Sequence, residues 1–108
     1  MKCGFLTRGI MIKSLGNKIA EEIWEKNSSK KLPRELHFRA KAILTIMNAT
    51  DTLSDLKILG EPPNIRLHRL QGNLKEYWSV TMKNGSPWRI IFKFQQGEFI
   101  DVQILDYH

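Results

Sequence analysis

The C-terminal third of the chain constrains the fold most, because its apolar residues recur at every second position. Successive side chains of a β-strand point to opposite faces, so this alternation predicts strands with one apolar side. Three such runs, 77–82, 88–94 and 98–105, are separated by turn signals at 84–85 and 95–97. The residues expected on the apolar side are Trp78, Val80, Met82, Trp88, Ile90, Phe92, Phe94, Ile100, Val102 and Ile104. The sheet therefore has an apolar face, which needs a cover, and a second face carrying Arg89.

The front half of the chain supplies that cover as two amphipathic helices. Residues 17–26 and 33–49 place apolar side chains at helical spacing, and a short basic loop joins them. The expected stripes consist of Ile19, Ala20, Ile23 and Trp24 in the first helix, and Leu36, Ala40, Ile43, Leu44 and Met47 in the second. The pattern predicts an α+β fold, a helical hairpin packed on one face of a small antiparallel β-sheet.

Weaker signals complete the expected order of elements. The apolar run within 9–14 predicts a first strand, and the alternation at 65–70 predicts a further strand. Residues 51–56 are expected to form a single helical turn, and residues 60–64 a loop. A chain of 108 residues has room for one domain, 1–108. Residues 1–10 are interpreted as a loose N-terminal extension, because Met11 would itself be a plausible start.

Composition restricts the setting and the partners. A single cysteine, Cys3, forms no internal disulfide, and no run approaches the apolar length that crosses a bilayer, so we expect a cytoplasmic protein. The net charge of +6 favours a polyanionic partner. Positions 26 to 41 contain six basic residues and one acidic residue, Glu35. These basic residues form either a solvated helix face or an electrostatic footprint for nucleic acid.

Familiar catalytic signatures for nucleotides, dinucleotides and zinc are absent, and the three histidines lack metal-ligand spacing, so we expect neither metal nor cofactor. The strands nevertheless carry polar residues that they do not need for folding. These residues are His68, Arg89, Asp106, Tyr107 and His108, with Arg66 and Lys75 nearby. Cleaving RNA without a metal requires a base for the 2′-OH proton, a cation for the phosphorane-like transition state and an acid for the 5′-oxygen. Histidine and arginine suit those tasks, so the set is sufficient for ribonuclease chemistry.

Structural explanations fit the same residues. The terminal Asp106-Tyr107-His108 is equally compatible with a frayed tail, and Arg89 with a cross-strand ion pair to Glu76 or Asp101. Residue types alone favour these explanations.

Four sequence pieces closely resemble the HigB toxins, the killer-protein branch of the RelE/ParE superfamily. They are Arg66-Leu67-His68-Arg69-Leu70-Gln71-Gly72, Tyr77-Trp78-Ser79-Val80, Trp88-Arg89-Ile90-Ile91-Phe92-Lys93-Phe94 and Asp106-Tyr107-His108. They occur in the order and spacing of that family, and the likeness runs from Met11 to the last residue. The resemblance implies a RelE-like fold and a type II toxin that cleaves messenger RNA on the ribosome. The partners it implies are a HigA-like helix-turn-helix antitoxin, the ribosome and mRNA, with operator DNA bound only through the antitoxin complex.

The resemblance also implies roles for individual residues. His68 or His108 would transfer protons, Arg89 would hold the scissile phosphate, Tyr107 would stack on a base or donate a hydrogen bond, and Asp106 would orient a histidine. Additional RNA contacts are expected from Arg66, Arg69, Lys75, Lys30, Lys31 and Arg34. Gln71 departs from the lysine that many relatives carry, which removes one candidate phosphate contact.

Two further hypotheses remain open. A non-catalytic inhibitor on the same scaffold, such as a ParE-like protein that blocks gyrase, would share the fold without cleaving RNA. A small basic domain that binds a partner protein would share only the charge.

Overall fold

The computed structural model describes residues 12–50, 53, 67–83 and 85–106. Two helices, α1 (Lys18–Lys26) and α2 (His37–Asn48), precede a four-stranded sheet. Its strands are β1 (His68–Arg69), β2 (Trp78–Thr81), β3 (Trp88–Gln95) and β4 (Glu98–Asp106). The sheet order is β1-β2-β3-β4, and each neighbouring pair is antiparallel. Single turns of 3₁₀ helix occur at Arg34–Leu36, directly before α2, and at Gly72–Leu74. The α+β prediction is confirmed.

Several predicted elements lie partly or wholly outside the described residues. The extension 1–10 and the loop 60–64 are outside them, as are residues 9–11 of the strand expected within 9–14 and residues 65–66 of the strand expected at 65–70. Within the expected turn at 51–56, Leu53 is described; it is helical and packs against the core. No helix among the described parts of the chain is long and apolar enough to cross a membrane.

Asn17 starts α1 and ties it to the sheet. Its backbone is extended, with φ −149° and ψ 170°, and its side-chain oxygen accepts a hydrogen bond from the amide of Ala20 at 3.1 Å. This satisfies one of the amides that a helix N-terminus leaves unpaired. The same side chain donates to the carbonyl of Ile104 at 2.8 Å and accepts from its amide at 3.3 Å. One residue thus caps α1 and positions it against β4.

The hairpin covers one side of the sheet, as its apolar stripes predict; we call this side the inner face. The side chains that form the core there are fully or almost fully buried. From the helices they include Ala20, Ile23, Leu36, Ala40, Ile43, Leu44 and Met47, and from the sheet Val80, Met82, Ile90, Phe92, Phe99, Val102 and Ile104. Burying this apolar set is the main favourable contribution to folding.

The predicted alternation of β4 is wrong at its start. Ile100 was expected to face the core with Val102, but Phe99 is fully buried there and Ile100 is half-buried opposite Lys93. The cause is a β-bulge, because the register with β3 shifts beside Asp101, which has a left-handed φ of 55°. One extra residue in β4 reverses the faces of the residues before it.

The segment before α1 runs along the free side of β4. Ile12 and Leu15 form parallel bridges with Phe99 and Val102. The expected first strand is therefore a pair of isolated bridges within the described residues. At Gly16 the approach to β4 is so close that a Cβ atom would collide with the carboxylate of Asp101.

Candidate functional site

The side of the sheet away from the hairpin carries the candidate site; we call it the outer face. The strand registers place one row across it, His68 opposite Ser79, Ser79 opposite Ile91, and Ile91 opposite Gln103. The next row contains Thr81, Arg89 and Leu105. The centre of the outer face is buried at Ser79 and Ile91, whereas His68 at its edge is exposed.

The registers bring His68 and Arg89 to the same face. They lie two strands and two residues apart, about 10 Å across the sheet and about 7 Å along it. The expectation that Arg89 lies on the face opposite the hairpin agrees with this geometry, and the register adds His68 to that face.

Arg89 is held by the backbone of its own turn. Its Nη1 donates to the carbonyl oxygens of Ser86 and of Trp88, the latter at 3.1 Å. Both bonds use one nitrogen, and Nε and Nη2 have no hydrogen bond to the described residues. The ion pairs with Glu76 or Asp101 considered above are not formed. A guanidinium anchored at one nitrogen keeps a fork of donors whose geometry matches phosphate oxygens.

Ser79 is a feature that residue types did not reveal. It is 1% exposed, and its Oγ has no hydrogen-bond partner in the described part of the structure. An unpaired buried hydroxyl costs about 1–3 kcal/mol. It lies directly opposite His68, in the row that also contains Ile91. Its position in the Trp78-Ser79-Val80 piece was the available signal.

Of the terminal residues 106–108, Asp106 lies within the described part of the chain. Asp106 is exposed at the end of β4 and pairs with Trp88, so the alternation directs it to the inner face rather than beside Arg89. Tyr107 and His108 lie outside the described residues, as does Arg66. The roles expected for these four residues remain predictions.

Arg69 and Lys75 lie on the other side of β1 and in the following turn. Arg69 pairs with Trp78, stacks its guanidinium 5.2 Å from the centre of that ring, and donates to the carbonyl of Lys75 at 2.9 Å. The side chain of Lys75 is exposed. The register therefore separates Arg69 from the face that carries His68, and its expected RNA contact stays a prediction.

A polar cluster borders the outer face near the bulge. The hydroxyl of Tyr77 donates to Asp101, which also accepts from Gln103 Nε2 at 3.2 Å. The hydrogen bond to Asp101, followed by burial and the negative charges of Asp101 and Glu76, raises the pKa of Tyr77 to about 12. Tyr77 is therefore a neutral donor at physiological pH, and Asp101 is committed to a structural contact.

The loop and turn between the two helices carry exposed basic residues. They are Lys30, Lys31 and Arg34. The first two line a cavity of about 410 Å³ together with Lys18, Glu22, Lys26, Ser28 and Ser29. Ser29 Oγ donates to Glu22 at 2.6 Å, and this hydrogen bond lowers the pKa of that carboxyl. Four lysines against one glutamate make the lining of this cavity predominantly basic, and the RNA contacts expected from Lys30, Lys31 and Arg34 stay predictions.

The described residues hold no group of three or more His, Cys, Asp or Glu side chains placed to bind a metal ion. His68 and Arg89 supply an imidazole and a guanidinium on the outer face.

Comparison with known proteins agrees with the motifs. A family model, described as the RelE-like toxin of type II toxin-antitoxin system HigB, matches residues 13–108. A curated relative, the Endoribonuclease HigB of Proteus vulgaris, is 31% identical over 98 residues, an alignment that covers 91% of this chain and 100% of the relative.

Proposed function

Because this chain belongs to the HigB-like family of RelE-like toxins of type II toxin-antitoxin systems, we propose that it is a ribosome-dependent endoribonuclease that cleaves messenger RNA. The relative from Proteus vulgaris, an endoribonuclease by name, supports the nuclease part of the proposal. The excess of basic residues supports an RNA-rich target.

One observation carries the proposal: the registers place an exposed histidine and a one-sided arginine fork on the same face of the sheet. His68 is exposed at the edge, and Arg89 has both remaining guanidinium nitrogens without a bond to the described residues. A phosphodiester placed between them would have a proton-transfer group and a cation.

In the proposed reaction the 2′-oxygen of one nucleotide attacks the adjacent phosphorus. A histidine, His68 or His108, removes the 2′-OH proton, and the other protonates the departing 5′-oxygen. The P–O5′ bond breaks as the P–O2′ bond forms, giving a 2′,3′-cyclic phosphate and a 5′-hydroxyl. Arg89 stabilises the extra negative charge of the phosphorane-like transition state. Tyr107 contacts a base, and Asp106 orients a histidine.

A type II toxin has a cognate antitoxin, and we propose a HigA-like protein with a helix-turn-helix domain. Operator DNA would be bound by that complex and not by the toxin alone. The ribosome would hold a single strand of mRNA against the outer face.

The test is brief expression in growing bacteria followed by mapping of the 5′ ends of a translated message. We expect in-frame cuts that disappear when translation is blocked, and that also disappear with His68→Gln or Arg89→Gln. Messages that stay intact while DNA replication stalls would contradict the proposal and favour a gyrase-directed inhibitor.

A second test addresses ribosome binding through the hairpin. Reversing Lys30, Lys31 and Arg34 to glutamate should abolish co-sedimentation with ribosomes, because these side chains are exposed and lie in a predominantly basic loop. Lys30→Glu/Lys31→Glu and Lys13→Glu/Lys83→Glu change the net charge equally, and the second pair removes cations that have acidic partners. Equal effects of both pairs would show that total charge, and not the hairpin, determines ribosome binding.

A further inference from the structure

Phe38 is exposed although it is a large apolar residue. It is 85% exposed, and it is the one such side chain among the described residues. It lies in the first turn of α2, and the core stripe of that helix does not include it. Packing in the core therefore does not explain its exposure. Single exposed apolar side chains are common on protein surfaces, so the groups around this ring decide what it can bind.

Cations surround Phe38. It lines a cavity of about 530 Å³ with Asn27, Arg34, His37 and Lys41, a set that contains no carboxylate. Arg34, in the 3₁₀ turn before α2, and Lys41, about one turn further along α2, both line this cavity with Phe38. A polyanion passing over α2 would meet positive charge on both sides of the ring.

Contacts to neighbouring groups fix this surface. His37 Nε2 lies 2.9 Å from the carbonyl oxygens of both Ser29 and Leu32, which joins the interhelical loop to the start of α2. Lys41 Nζ donates to the carbonyl of Trp24 at 2.6 Å and lies 4.4 Å from the centre of its ring. These contacts hold the backbone and side chains around Phe38 in place, which reduces the conformational entropy lost when a ligand binds.

We propose that Phe38 is a stacking platform for an unpaired base of single-stranded RNA, with Arg34 and Lys41 facing the adjacent phosphates. An aromatic ring flanked by cations is the combination that binds single strands without sequence preference. A protein partner would instead be expected to need a cluster of exposed apolar residues at its interface core, whereas Phe38 stands alone within the described parts of the surface. The proposal rests on the proposed function for its biological setting, since it identifies a second RNA contact away from the outer face.

The test is fluorescence anisotropy of a labelled oligouridylate of 12 nucleotides, titrated with the full chain at several salt concentrations. Phe38→Leu keeps an apolar side chain and removes the aromatic face, and we expect it to weaken binding at least about fivefold at every salt concentration. The slope of log affinity against log salt should not change. Phe38→Trp should restore or strengthen binding. Arg34→Gln is the matched control, and it should reduce the salt slope by about one.

Oligouridylate binding by Phe38→Leu equal to that of the unaltered chain would overturn the proposal. So would normal RNA binding together with weaker co-purification of the antitoxin, because that result would assign Phe38 to a protein interface. Thermal unfolding of each variant separates loss of binding from loss of folding. The assay measures binding and not cleavage. If the chain binds the oligonucleotide through Phe38 but leaves translated messages intact, the proposed nuclease activity is contradicted and the proposed RNA contact at Phe38 is supported.

Discussion

The two faces of the sheet differ in what their residues contribute. On the inner face Phe92, Phe99 and Ile104 are fully buried against the helices, and this face stabilises the fold. On the outer face the buried hydroxyl of Ser79, which has no hydrogen-bond partner among the described residues, lies between the exposed His68 and the buried Ile91. A face that carries polar groups at a cost in stability is the one on which function should be sought.

The largest expected effect is on the inner face. Phe99 is fully buried, and its ring centre lies 5.1 Å from that of Phe92 and 4.9 Å from that of Phe94. Phe99→Ala should lower the free energy of unfolding by about 3–5 kcal/mol, because it leaves a cavity in addition to the lost burial. Urea denaturation measures this loss. A decrease below about 1 kcal/mol would mean that this face does not carry the stability assigned to it.

The next largest effect is expected from a substitution on the outer face, which should slow cleavage with little change in the free energy of unfolding. Arg89→Gln removes the positive charge and should slow cleavage about 100-fold or more, as removal of a transition-state donor does elsewhere. Arg89→Lys keeps the charge and loses the planar fork, so it should recover only part of the rate. Single-turnover cleavage on programmed ribosomes gives both rates. Full activity of Arg89→Lys would contradict a requirement for the fork.

The smallest effect concerns Tyr77 at the edge of the outer face. Its pKa, about 12 against an ordinary value of 10.0, means that the contact contributes stability below pH 10 that is lost as pH rises toward 12. In a Tyr107→Phe background, Tyr77 is the one remaining tyrosine, and its ultraviolet absorbance should titrate near pH 12. Asp101→Asn should lower that pKa, and asparagine tolerates the left-handed backbone at this position. An unchanged titration would show that Asp101 does not control Tyr77.

The sequence was sufficient to predict the elements with a long, regular period. The stripes of both helices and the alternation of β2 and β3 specify which side faces the core, so the hairpin and the inner face followed directly. The start of β4 did not, because a left-handed backbone at Asp101 interrupts the period without a glycine to signal it. The exchange of Phe99 for Ile100 is the consequence of that interruption.

The sequence proposed members for the candidate site but could not predict their contacts. The motifs identified His68 and Arg89, and the strand registers place them on one face. The backbone carbonyls that hold Arg89 could not be predicted, since they depend on the geometry of the preceding turn. The burial of the Ser79 hydroxyl, which has no hydrogen-bond partner in the described part of the structure, could not be predicted either, because burial arises from the packing of the complete sheet.

The most direct test of the outer face as a single catalytic site is a double-mutant cycle between His68 and Arg89, measured as single-turnover cleavage of mRNA on ribosomes. If both residues act on one phosphodiester, His68→Gln and Arg89→Gln should be strongly non-additive, with the double variant about as slow as the slower single variant. If the two losses multiply, the residues act independently, and the outer face is not a single catalytic site.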